Sequence, residues 1–146
     1  MERINRDRIL RIWSLIVLKK GKSKHGKPIP TLVLITKSNE TQTIGKYIHE
    51  DNSIHIWFRS HYDFKDLTST ILHEYTHYLQ FWPWYVRYRK MYSYKENPYE
   101  IAANLSETDA TNLIREISDE KWFYNISNKK LRKIYESSGE VVKFDI

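Results

Sequence analysis

Apolar residues recur at helical spacing at the start of the chain: Ile4, Ile9, Ile12, Trp13, Ile16 and Val17 share one face of residues 4–19, with arginines between them. This pattern predicts an amphipathic helix packed on the core by one side. A loop rich in Lys and Gly, with Pro28 and Pro30, follows over 20–30. The period then drops to two. Residues 31–36 are a run of β-branched residues and Leu. Residues 43–49 set Ile44, Lys46 and Ile48 against Gly45, Tyr47 and His49, and residues 53–59 set Ile54, Ile56 and Phe58 against His55, Trp57 and Arg59. Turn residues at 38–40 and 51–52 separate these runs, so three strands in an antiparallel meander with one buried face are expected.

Helical spacing returns after Asp63, a good N-cap with Asp66 in the first turn. The predicted helix runs over 64–82 and stops before Pro83. Phe64, Leu67, Ile71, Tyr75, Tyr78 and Trp82 form its apolar face, and Asp66, Thr70, His73, His77 and Gln80 lie opposite. Residues 82–97 read as a connector crowded with aromatics and cations. A second helix is expected from Asn97 as N-cap and Pro98 at the first helical position to about 118. Residues 120–146 suggest a short helix near 128–137 and an extended tail at 141–144. The order is helix, three strands, helix, helix, tail, which is α+β. One domain over 1–146 is expected, with its catalytic core at about 43–118 and the tail at 120–146.

Composition narrows the function. The chain has 146 residues, 40% hydrophobic and 14% aromatic, which excludes disorder as a whole. With no cysteine, a disulfide framework, a thiolate zinc site, an iron–sulfur cluster and a cysteine nucleophile are excluded. Four glycines and no Gly-x-Gly-x-x-Gly or Walker-type run argue against a phosphate loop. No apolar run reaches the roughly 18 residues of a membrane span. Residues 9–18 lack a cleavage site, and Glu2 and Asp7 precede them, so a cytoplasmic protein is expected. The net charge of +6 serves solubility or attracts acidic partners.

The chemistry lies in His73-Glu74-Tyr75-Thr76-His77, an H-E-x-x-H run in mid-helix. Positions i and i+4 share a helix face with Cβ atoms about 5–6 Å apart. Two imidazoles there can chelate one Zn²⁺, and Glu74 beside the first can take a proton from a water on the metal. A catalytic zinc needs a third protein ligand. Glu100 is the first choice, with Asn104 one turn later positioned to accept a hydrogen bond from a ligand imidazole. The alternative for Glu100 is a capping box with Asn97. His61 and Glu96 are further ligand candidates.

These residues resemble the gluzincin metallopeptidases, which pair H-E-x-x-H on an active-site helix with a glutamate on a following helix. The E-x-x-A-N run at Glu100–Asn104 is also similar to the ImmA/IrrE-type peptidases, although Leu105-Ser106-Glu107 departs from their continuation. The resemblance implies a zincin-like domain with a three-stranded, mainly antiparallel sheet and one zinc per chain. It implies His73, His77 and Glu100 as ligands, Glu74 as general base, Asn104 behind the ligands and a peptide or protein substrate. It places residues 53–59 at the sheet edge that meets the substrate, with His55 and Trp57 as contacts. An oxyanion donor is expected from Tyr99 or from Tyr85, Tyr88, Tyr92 or Tyr94, with His55 also possible.

The run at 82–92 could bind single-stranded nucleic acid, a membrane interface or an acidic, aromatic substrate segment, or simply pack over the helices. Nucleic acid is the less favoured partner. The tail at 141–144 either adds a strand or lies in the cleft and keeps the enzyme latent. The rival readings are an inactive zincin-fold binding module and a basic nucleic-acid-binding protein with an accidental H-E-x-x-H.

Overall fold

The computed structural model describes residues 6–36, 43–117 and 142–145. Helix α1 (Arg6–Lys20) buries Ile9, Ile12, Trp13, Ile16 and Val17 of the predicted stripe, together with Leu15, while Ile4 lies outside the described residues. Gly21 ends it at φ 75°, and its N–H donates to the Val17 carbonyl at 2.9 Å. Glycine adopts this left-handed conformation without the Cβ clash of other residues.

The sheet holds β1 (Thr31–Ile35), β2 (Gly45–Ile48), β3 (Ser53–Trp57) and β4 (Val142–Asp145), in the order β2-β3-β1-β4. The architecture is α+β, as expected. The mainly antiparallel meander is corrected. Only β2 and β3 pair antiparallel, whereas β1 runs parallel to both β3 and β4. The reason is legible in β1. Leu32, Val33, Leu34 and Ile35 are all buried, and a strand apolar on both faces belongs inside a sheet among parallel neighbours, not at the rim of a meander. The chain therefore passes to the outer side of β3 before β2 forms. Of the two placements foreseen for the tail, residues 142–145 take the extra strand, on the sheet edge opposite β2. The expected helix near 128–137 lies outside the described residues.

A second correction follows from the same order. Residues 53–57 form an interior strand, so β3 is not the edge strand, and β2 takes that place.

Helix α2 (Phe64–Leu79) starts where predicted: Asp63 accepts from the Asp66 N–H at 2.8 Å. It packs on β2 and β3 on one side and meets α4 (Pro98–Ser106) and α5 (Ala110–Ile117) on others. Enclosure on several sides buries Thr68, Thr70, Glu74 and His77 as well as the apolar face. The phenols of Tyr75 and Tyr78 donate to the carbonyls of Gly21 at 2.5 Å and Lys27 at 3.0 Å, tying the 21–30 loop to the back of α2.

Helix α2 ends at Leu79, and Gln80 is already extended. The expected connector is instead a helix, α3 (Trp82–Met91), with Pro83 in its first turn. Proline stops the preceding helix but is well suited to start the next. The expected second helix is broken: α4 gives way to a 3₁₀ turn (Glu107–Asp109) before α5. Ala103 is fully buried where α4 approaches α2, and Ala102 is exposed. Among the described residues, no helix is long and apolar enough to cross a membrane.

Candidate metal centre

His73 and His77 stand one turn apart on α2, with their Nε2 atoms 3.2 Å from each other. Glu100 reaches both from α4: its Oε1 lies 2.6 Å from His77 Nε2, and its Oε2 lies 3.7 Å from His73 Nε2. Nitrogens of the two histidines and an oxygen of Glu74 lie within 4.8 Å of one another, a group able to hold a metal ion. Of the two acids, Glu100 makes the close contacts with the imidazoles. Glu74 is tied elsewhere: its Oε1 accepts the Tyr47 N–H of β2 at 3.0 Å.

The local reason for Glu100's position is the start of α4. The Asn97 side chain caps the helix by accepting from the Tyr99 N–H at 2.9 Å. The Asn97 N–H donates to the Ser93 carbonyl at 2.9 Å, so that donor is not taken by Glu100 as a capping box would require. The Glu100 carboxylate is free to turn to α2. At the other end of α4, Ser106 Oγ lies 2.5 Å from the Ala103 carbonyl of its own helix and 3.2 Å from the Leu72 carbonyl of α2.

The outer ring nitrogens decide what the inner ones offer. His73 Nδ1 faces Glu107 Oε2 at 3.2 Å, and His77 Nδ1 faces Gln80 Oε1 at 2.8 Å. With acceptors on that side, each Nδ1 carries the proton and each Nε2 turns a lone pair inward. Two lone pairs and a carboxylate then converge, a donor set that calls for a cation. Ligands at about 2.0–2.1 Å from a tetrahedral metal stand about 3.3 Å apart. The 3.2 Å between the Nε2 atoms matches that spacing, and the 2.6 and 3.7 Å to Glu100 lie on either side of it.

The electrostatics agree. Burial disfavours protonation of His73, but hydrogen bonds to Glu100 and Glu107 and the Glu74 charge outweigh it and lift its pKa to about 9. Burial also works against the Glu100 carboxylate, yet hydrogen bonds from His73, His77 and Tyr94 hold it far below the usual carboxylate range. Burial pushes the Glu74 carboxyl up, against the pull of His77, His73 and the Tyr47 N–H.

A cleft of about 400 Å³ opens over this group. Gly45 and Tyr47 of β2 form one wall, and Trp82, Tyr85 and Arg89 of α3 form the other. Rings continue the second wall: His77 meets Tyr85 edge-on at 5.1 Å, Tyr85 stacks on Trp82 at 5.0 Å, and Trp82 stacks on His49 at 4.2 Å.

The other expected site residues lie apart. Asn104 is not behind a ligand imidazole, because Glu107 and Gln80 occupy both Nδ1 positions; it bonds the Tyr94 hydroxyl instead. Tyr99 does not line the cleft: its ring meets Tyr88 at 5.0 Å, and its carbonyl accepts from Gln80 Nε2 at 2.9 Å. Tyr85 and Tyr94 line the cleft in its stead. His55 and Trp57 lie on interior β3 and are not among the cleft-lining residues; His55 Nε2 is 3.1 Å from Ser53 Oγ. His61 is buried with its ring nitrogens on the Trp57 carbonyl at 3.0 Å and Thr70 Oγ1 at 2.8 Å, away from the centre. Glu96 is exposed and does not line the cleft.

Sequence reasoning missed Gln80 and Glu107. Both had a signal: Gln80 is three residues after His77, and Glu107 is two turns after Glu100.

Comparison of the chain with protein-family models, with curated proteins and with solved structures finds no match.

Proposed function

We propose that this protein is a zinc-dependent endopeptidase of gluzincin type on a zincin-like fold, with His73, His77 and Glu100 as ligands and Glu74 as general base. The observation that carries the reading is the convergence of both Nε2 atoms on the Glu100 carboxylate, with Glu74 beside them and held by Tyr47. A bound zinc ion would lower the pKa of its water toward 7 and polarise the scissile carbonyl. Glu74 takes the proton from the attacking water and passes it to the leaving amine. Its burial supports that exchange, since a raised pKa brings a carboxyl closer to the working range of an acid–base group.

The Tyr85 phenol is the donor available to the developing oxyanion, since the Tyr94 hydroxyl is engaged with Glu100. Burial raises Tyr85, so it keeps its proton at neutral pH. The peptide lies along β2. Trp57 N–H bonds the Ile44 carbonyl, so Ile44 faces β3, and by alternation Gly45 turns its backbone groups outward. An outer strand with outward N–H and C=O groups can pair with an extended chain.

The test is elemental analysis of purified protein. We expect about one zinc per chain in the wild type and none in His77→Ala or Glu100→Ala. No zinc after zinc dialysis removes the reading. Zinc without cleavage of any peptide in a random library leaves an inactive binding module.

Glu107 and Gln80 orient the ligand imidazoles, so Glu107→Ala and Gln80→Ala should each weaken zinc binding about 10–100-fold. Competition against a chromophoric chelator measures this, and unchanged affinity would refute the orienting role.

A further inference from the structure

A second cavity, of about 420 Å³, opens beside the metal centre and shares Lys46, Tyr85, Arg89, Tyr94 and Glu100 with the main cleft. Its cations come from two different elements. Lys46 projects from the free edge of β2, and Arg89 comes from the last turn of α3, its guanidinium 6.0 Å from the Tyr85 ring centroid. Among the described residues, no carboxylate forms an ion pair with either.

The acids nearby do not neutralise them. Glu100 lines the cavity, but its charge is committed to His73 and His77. Glu50 lines the main cleft and not this cavity. Tyr85, Tyr92, Tyr94 and Asn97 supply the remaining wall, and the hydroxyls of Tyr85 and Tyr92 can donate to an anion. A guanidinium and an ammonium lining one cavity with phenols around them fit a carboxylate, which guanidinium binds through two parallel hydrogen bonds.

We infer that this cavity is a specificity subsite for an acidic side chain, Asp or Glu, next to the scissile bond. The inference rests on the peptidase reading for the word scissile, but the anion subsite itself does not need turnover. Lys46 and Arg89 bind the carboxylate and set the register of the peptide along β2.

The test is therefore binding. The full chain carrying Glu74→Gln, dialysed against zinc, is titrated calorimetrically with a peptide bearing several glutamates and with its counterpart bearing glutamine at the same places. We expect the glutamate peptide to bind about tenfold tighter or more. The gap should shrink as salt is raised. Lys46→Glu combined with Arg89→Glu should abolish the preference. Lys46→Gln combined with Arg89→Gln, a milder change at exposed positions, should remove most of it and guards against misfolding of the reversed variant. Equal binding of the two peptides, or a preference that survives in the folded glutamine pair, overturns the subsite. So does a single-stranded oligonucleotide that binds tighter than the glutamate peptide and loses that binding in the same variants.

The wild type is assayed in parallel on a random peptide library, with cut sites read by mass spectrometry. Cuts enriched for Asp or Glu at one neighbouring position support the proposal. Cuts without that enrichment overturn it alone. No cuts, with the calorimetric preference intact, remove the peptidase reading and leave the anion subsite standing.

Discussion

Replacing Glu74 by Gln should lower kcat/KM for peptide hydrolysis by about 10²–10⁴-fold while leaving zinc content and thermal stability close to those of the wild type. The side chain keeps its shape, and its amide oxygen can still accept the Tyr47 N–H, now 3.0 Å from Oε1. What is lost is the ability to take a proton. The histidine contacts to Glu100, Glu107 and Gln80 involve none of the altered atoms. Zinc content by elemental analysis and turnover of a quenched fluorescent peptide check the two halves. Retained turnover would refute the general-base role, and loss of zinc would make Glu74 a ligand.

Gly45→Ala should lower both stability and turnover, although Gly45 carries no chemistry. A Cβ there would stand 2.5 Å from Thr70 Cγ2, 3.2 Å from Ile56 Cδ1 and 3.4 Å from Glu74 Cγ. Thr70 cannot rotate away cheaply, because its hydroxyl lies 2.8 Å from His61 Nε2 and 3.2 Å from the Asp66 carbonyl. The strand must move instead, and the Tyr47 contact that aims Glu74 moves with it. The expected loss is about 1–3 kcal/mol of stability, the usual cost of overpacking, and about tenfold or more in kcat/KM from the displaced carboxylate. Thr70→Ser removes the clashing methyl and keeps the hydroxyl, so it should restore much of both in the Gly45→Ala background. Denaturant midpoints and peptide turnover across the four proteins give the coupling. Wild-type behaviour of Gly45→Ala would show that the close packing of β2 on α2 does not position Glu74.

Much of this site could be read along the chain because its core is local. Residues 73, 74 and 77 belong to one helix, so spacing alone brings His73 and His77 to one face and leaves Glu74 beside them. Asp63 and Asn97 are caps, and capping is decided within three residues. Glu100 was legible only as one of two roles. The capping-box role is excluded by the Asn97 N–H, which the Ser93 carbonyl satisfies, and the close seating of Ala103 on α2 brings the Glu100 carboxylate to the imidazoles.

The errors have a common origin. Asn104 was expected behind a histidine because it shares a helical face with Glu100. The break of α4 at Glu107 instead brings that carboxylate to His73, and the early end of α2 lets Gln80 fold back on His77. Pro83 was read as a stop, although in the first turn of α3 it begins a helix that carries Trp82, Tyr85 and Arg89 to the cleft. The apolar run of β1 carried the sign of an interior strand, but short turns favoured a meander, and that choice put the sheet edge at 53–59 rather than at β2.

The sequence by itself determined the α+β composition, the position of the two-histidine helix and the candidate acids, because helix period, caps and i, i+4 spacing act over a few residues. Only the tertiary structure decided which strand is the cleft edge, which acceptors hold the imidazole tautomers, and that Lys46 and Arg89 face one cavity. Those relations join residues tens of positions apart, and they are settled by which faces can be buried together, a property of the packed chain rather than of any segment of it.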